Sequence, residues 1–154
     1  MPDQPTPAST KFKNRFRIYK PNRTNTGSAL QMDLNAERAA VFLEVANQTG
    51  EQAFDWANKI TFKLATTDIG KMLAVFNGRK PSIDLFHDPG KTVAETDTKS
   101  TSLKLSKGDY GFFMKVTTQS KAGALRSVSV PLAEDEAEVA RVLLEAAIAR
   151  IYDW

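Results

Sequence analysis

Between Lys11 and Arg23 the sequence places Lys11, Lys13, Arg15, Arg17, Lys20 and Arg23, six bases with no acid among them. Ammonium and guanidinium groups at this density can neutralise a row of phosphates, and Tyr19 offers a ring on which a base can stack. The spacing is that of a strand. Phe12, Asn14, Phe16 and Ile18 alternate with Lys11, Lys13, Arg15, Arg17 and Tyr19, so a strand over Lys11–Lys20 has an apolar back and a cationic front. Like charges along one face repel, and a polyanion lying across them relieves the repulsion. An edge strand that uses charge only to block aggregation needs one or two such residues, which favours the binding reading.

Other residues extend that chemistry. Lys59, Lys63, Lys104 and Lys115 each fall opposite the apolar side of their strands, where they can line the same groove or simply meet solvent. Phe54 and Trp56 lie in the loop QTGEQAFDWAN and read equally as core plugs or as stacking platforms worth about 1–3 kcal/mol per base. Phe86 and Tyr110 are weaker candidates of the same kind. Catalysis is poorly served. The only histidine, His87, precedes Asp88, but neighbours on a strand point to opposite faces and make no dyad. A structural hydrogen bond or a nucleic-acid contact suits His87 better. With no cysteine and one histidine, neither a thiol triad nor a His-rich metal site can be assembled. Gly-rich phosphate loops are missing, and the acids at Glu134, Asp135, Glu136 and Glu138 fit the start of a helix. No enzyme, metal or cofactor is expected.

These residues must be positioned by strands. The 154 residues suit one domain, with ordinary globular values of 42% hydrophobic and 25% charged residues. No apolar run approaches the ~20 residues of a membrane span. Residues 1–10, with three prolines and an acid, read as a disordered lead-in without the order of a signal peptide, leaving a domain over 11–154. The net charge of +3 is unevenly spread: residues 134–153 hold six acids against two bases, a net of −4, so that end should face away from a polyanion. Period-two alternation recurs over 28–34, 39–47 and 59–65, giving four antiparallel strands with the first. The period then lengthens. Thr66 or Thr67 can cap a helix through Ile69, Met72, Leu73 and Phe76, closed by Asn77-Gly78. Strands resume at 82–88, a polar loop of about a dozen residues follows, and a hairpin turns about Gly108-Asp109 before a last strand. A final helix over roughly 132–150 is apolar on more than one side, through Val139, Val142, Leu143, Ala146 and Ala147 but also Leu144 and Ile148. One stripe suffices to dock on a sheet, so the second argues for a partner helix or for burial between two sheets.

The order of elements is ββββα-ββββα, an α+β chain of two four-stranded antiparallel sheets. Within it, Phe54-Asp55-Trp56 before a strand, Thr67-Asp68-Ile69-Gly70 opening a helix and Phe86-His87-Asp88-Pro89 ending a strand stand in a distinctive order. With FRIYK, VSVPLAEDEAEV and a final Trp154, this arrangement resembles the Whirly family of single-stranded DNA-binding proteins over nearly all of residues 12–154. The resemblance implies sheets packed roughly perpendicular, central helices at an oligomer interface, and a homotetramer that binds single strands of DNA along its sheets. Related folds bind RNA. Plant members carry a Lys-Gly-Lys-Ala-Ala-Leu segment where this chain reads Asn25-Thr26-Gly27-Ser28-Ala29-Leu30. Both lysines are gone, so binding charge is expected from Lys11–Lys20. The short, acid-containing start lacks an organelle transit pattern, which suggests a bacterial or viral source and a cytoplasmic protein. The expected function is binding of single-stranded DNA with low sequence specificity. An RNA-binding relative and a protein-interaction module using the basic face are the alternatives.

Overall fold

The computed structural model describes residues 14–88 and 98–154. Lys11, Lys13, the lead-in over 1–10, Pro89 and most of the polar loop lie outside the described residues. The first strand is described as β1 (Phe16–Lys20), followed by β2 (Ser28–Asn35), β3 (Ala40–Gly50), β4 (Ala53–Phe54) and β5 (Ile60–Ala65). Helix α1 (Thr66–Phe76) leads to β6 (Ser82–His87), β7 (Thr98–Lys107), β8 (Gly111–Ser120) and β9 (Leu125–Ala133), and helix α2 (Glu134–Ile151) follows. Two antiparallel sheets result. The first runs β1-β2-β3, with β4 and β5 both on the far edge of β3; the second runs β6-β7-β8-β9. The expected α+β order is found, with one addition. β3 is long enough that Ala40–Val45 pair with β5 while Gln48 and Gly50 are left to pair with β4. Part of the stretch read as a loop is therefore strand, because an unpaired length of β3 satisfies its backbone groups.

The alternation seen in the sequence builds the core. Ile18, Leu30, Met32, Leu43, Val45, Phe62 and Leu64 face inward from the first sheet, and Leu103, Leu105, Met114, Val116, Val128 and Val130 from the second. Ile69, Met72 and Val75 of α1 join them, as do Ala137, Ala140, Leu144 and Ala147 of α2. A large side chain buried fully in this way stabilises the fold by about 1.5–3 kcal/mol.

The start of α1 differs from expectation. Neither Thr66 nor Thr67 caps α1; Asp68 reaches back instead, its carboxylate accepting the Ala65 N–H at 3.0 Å. Glu136 repeats the device at α2, accepting the Ala133 N–H at 2.8 Å. A carboxylate in the first turn answers both an orphan donor and the positive end of the helix. The two sheets are tied at β9. Ser28 Oγ donates to the Ser129 carbonyl at 2.6 Å, and the Asn47 amide to the Ser127 carbonyl at 3.3 Å.

Candidate nucleic-acid interface

On β1 the backbone period places Ile18 in the core and turns Arg17 and Tyr19 outward, Tyr19 remaining 48% exposed. The register sets Arg17 opposite Gln31, Gln31 opposite Glu44, and Glu44 opposite Thr61. The four side chains form one polar row across the sheet. Arg17 Nε donates to Gln31 Oε1 at 3.0 Å, and the Gln31 amide donates to Glu44. The other Glu44 oxygen meets Lys59 Nζ at 3.1 Å and accepts from Thr61 Oγ1 at 3.4 Å. Burial pushes the Glu44 carboxyl upward, but hydrogen bonds from Gln31, Lys59 and Thr61 and the charge of Lys59 outweigh it. The net effect holds the group below the usual carboxylate range.

The cationic front is thus partly balanced by acids from elsewhere in the fold. Arg15 lies 4.0 Å from Asp33 of β2, and Lys20 Nζ lies 2.5 Å from Glu136 of α2. No acid lies between Lys11 and Arg23 in the sequence; a cross-strand carboxylate for Arg15 and a helix carboxylate for Lys20 supply the partners. Arg23 is exposed in the β1–β2 turn. Gln31, Asp33 and Glu44 were missed as members of this face, although each sits on the outward side of an alternating strand.

Above the polar row the aromatics converge. Tyr19 and Phe54 lie 5.4 Å apart between ring centroids, and with Trp56, Pro21 and Gln52 they line a concavity of about 490 Å³. Neither Phe54 nor Trp56 belongs to the buried core; both are half-buried walls of this cup. The supports are polar. The Asp55 N–H donates to the Asn47 carbonyl at 2.9 Å, while the Asp55 carboxylate accepts from the Asn58 amide at 3.1 and 3.0 Å. Buried Gln48, also unforeseen, accepts from the backbone N–H groups of Asn22 and Gly27, each at 2.9 Å, and donates to the Gly50 carbonyl at 3.0 Å. Gly27 is required there: a Cβ would stand 2.0 Å from the Lys20 carbonyl oxygen.

Lys63 lies on the outward side of β5, and Lys59, extended and exposed, directly precedes that strand. Lys104 and Lys115 do not join them. They stand opposite each other on β7 and β8, on the outward face of the second sheet, so the single groove considered for all four lysines is divided between two sheets. Phe86 is 67% exposed on β6, and Tyr110 projects from the β7–β8 turn. His87 binds Asp68, not Asp88: its Nε2 lies 3.1 Å from Asp68 Oδ2, and its ring stacks on Phe62 at 4.1 Å. Since a carboxylate only accepts, Nε2 carries the proton. His87 therefore joins the end of β6 to the cap of α1. Among the described residues no group of three or more His, Cys, Asp or Glu is placed to hold a metal ion, and no helix is long and apolar enough to cross a membrane.

Fold and site together define a two-sheet α+β protein with cations and an aromatic cup on one sheet face. The chain belongs to the Whirly family: residues 12–143 match the family described as Whirly transcription factor. It is 29% identical over 99 residues to the single-stranded DNA-binding protein WHY1, chloroplastic, of Solanum tuberosum, covering 62% of this chain and 35% of that one. It is 25% identical over 120 residues to the single-stranded DNA-binding protein WHY2, mitochondrial, of Arabidopsis thaliana, covering 76% and 50%. The crystal structure of WHY3 from Arabidopsis thaliana superposes with a TM-score of 0.76 at 24% identity, over 93% of this chain and 90% of that one. The chain spans between about a third and a half of the length of these curated relatives. Their names overturn the cytoplasmic expectation, since they place these relatives in chloroplasts and mitochondria. They also give no support to a bacterial or viral source.

Proposed function

We propose that this protein binds single-stranded DNA with low sequence specificity, and that it acts by binding and not by catalysis. The observation that carries the reading is the cup of Tyr19, Phe54 and Trp56 on the same sheet face as Arg15, Arg17, Lys59 and Lys63. Every base has a π-face, so stacking in such a cup tolerates sequence, while phosphates follow the cations. A duplex hides those faces, and a sheet without a protruding recognition helix has little to insert into a major groove. The names of the curated relatives support the same polymer.

Self-association into a homotetramer belongs to the proposal. The outward side of α2 leaves Val139, Val142 and Leu143 between 44% and 48% exposed, more apolar surface than docking on the sheets requires. The deciding experiment is a salt series on the Arg15→Gln/Arg17→Gln protein with a single-stranded oligonucleotide. If each arginine contacts one phosphate, the slope of log affinity against log salt falls by about 1.4 per protomer, at ~0.7 per phosphate. A parental slope in the double variant would reduce the cationic front to edge protection. Equal-length RNA run beside the DNA tests the RNA-binding alternative, and oligonucleotide competition against an acidic protein partner tests the interaction module.

A further inference from the structure

A second concavity, of about 480 Å³, opens where β5 at the edge of the first sheet approaches β6 at the edge of the second. Its floor is rigid, because the stacked rings of Phe62 and His87 are held through the bond from His87 to Asp68. One wall is Phe86, a residue that stays two thirds exposed to water although the cleft beside it could take a partner. Lys63 stands at the rim. Unlike Arg15, Lys20 and Lys59, it has no ion-pair partner among the described residues. Asp88 also lines the cleft, half-buried, with no hydrogen bond among the described residues.

An exposed ring, and a cation and a carboxylate that have no charged or hydrogen-bonded partner among the described residues, converge on one cleft and are complementary to a nucleotide. Building on single-strand binding as proposed above, we infer that this cleft is a one-nucleotide subsite that favours cytosine over thymine. The base stacks on Phe86 and its phosphate meets Lys63. Asp88 can only accept hydrogen bonds, so it takes the exocyclic amino group of cytosine. Thymine presents carbonyl oxygens on both sides of its single ring N–H, and the carboxylate repels them.

The cleft and the aromatic cup lie on one path. Lys59 follows the turn that carries Trp56, and Lys63 stands four residues further along, on the outward side of β5, about 13 Å away at ~3.3 Å per residue. A single strand anchored in the cup and running along β5 passes Lys59 and reaches the cleft after about four stacked nucleotides at ~3.4 Å each.

The test compares twelve-residue oligo(dC) and oligo(dT) by fluorescence anisotropy on the full chain, using Phe86→Ala, Asp88→Asn and Trp56→Ala proteins. Phe86 is mostly exposed, and circular dichroism verifies that each variant keeps the fold. The wild type should bind oligo(dC) more tightly than oligo(dT). Phe86→Ala should weaken binding of both by about fivefold or more. Asp88→Asn should bring the two affinities together, since an amide can also donate to a thymine carbonyl. The inference is overturned if Phe86→Ala and Asp88→Asn change neither the affinities nor their ratio; weakening by Trp56→Ala in the same experiment would leave the cup reading intact. Wild type that binds neither oligonucleotide would overturn the single-strand reading itself, and the subsite with it.

Discussion

Replacing Glu44 with glutamine separates two roles that a carboxylate can play on a cationic face. Glu44 lies at the centre of the polar row, bonded on one oxygen by Gln31 and on the other by Lys59 and Thr61. As a competitor of phosphate it holds Lys59 away from the polymer and repels whatever lies above it. Glutamine keeps the shape: its single carbonyl oxygen can still accept from Gln31, and its amide can donate to Thr61 Oγ1, so the strands should stay in register. A phosphate at about 6 Å in a water-like dielectric loses about 0.7 kcal/mol to one negative charge. Neutralising Glu44 should therefore tighten binding about threefold at low salt. Lys59, released, contributes one further phosphate contact and steepens the salt slope by about 0.7. Between about 50 and 200 mM salt, that slope makes the variant lose about 2.6-fold more affinity than the wild type. Anisotropy titration of a labelled single-stranded twelve-mer over this range measures both quantities. Weaker binding with a shallower slope would refute the reasoning, because Glu44 would then be holding Lys59 where a phosphate needs it.

Asp68→Ala removes both the Ala65 cap and the partner of His87, and should lower the unfolding free energy by about 1–2 kcal/mol in urea titrations. His87→Asn should leave nucleic-acid affinity within about tenfold of wild type, since the histidine is engaged inside the fold; a larger loss in a folded protein would contradict that placement. The Glu44 carboxyl is held below its unfolded value, so its contribution to stability is full above that value and disappears as pH falls through the folded one. The stability gap between wild type and Glu44→Gln should accordingly close in acid, which urea midpoints at several pH values would reveal. Leu143→Glu, on the exposed side of α2, should shift the mass seen by light scattering toward that of a monomer, with circular dichroism unchanged.

Which side of each strand faces the core was legible because alternation is a property of the backbone: Ile18, Leu43 and Phe62 are buried where their spacing placed them. Which outward residues meet was not legible, because period two assigns a side and says nothing of register. Glu44 looks like any solvated strand residue until β2 and β5 bring Gln31 and Lys59 beside it. The same limit hid the partner of His87. Asp88 is adjacent in sequence and turned away, whereas Asp68, nineteen residues back, is carried in by α1. The lysines showed the converse error, since four similarly placed lysines on or beside three strands conceal that two belong to one sheet and two to the other.

The bonds from Ser28 and Asn47 to the carbonyls of β9 bear on how copies of this chain can meet. An edge strand invites a foreign strand to dock because its outward carbonyls and amides lack partners. At Ser127 and Ser129 that invitation is already answered by the first sheet of the same molecule. Growth of the second sheet from chain to chain is thereby blocked at its β9 end, and any assembly that crosses that border must do so through side chains.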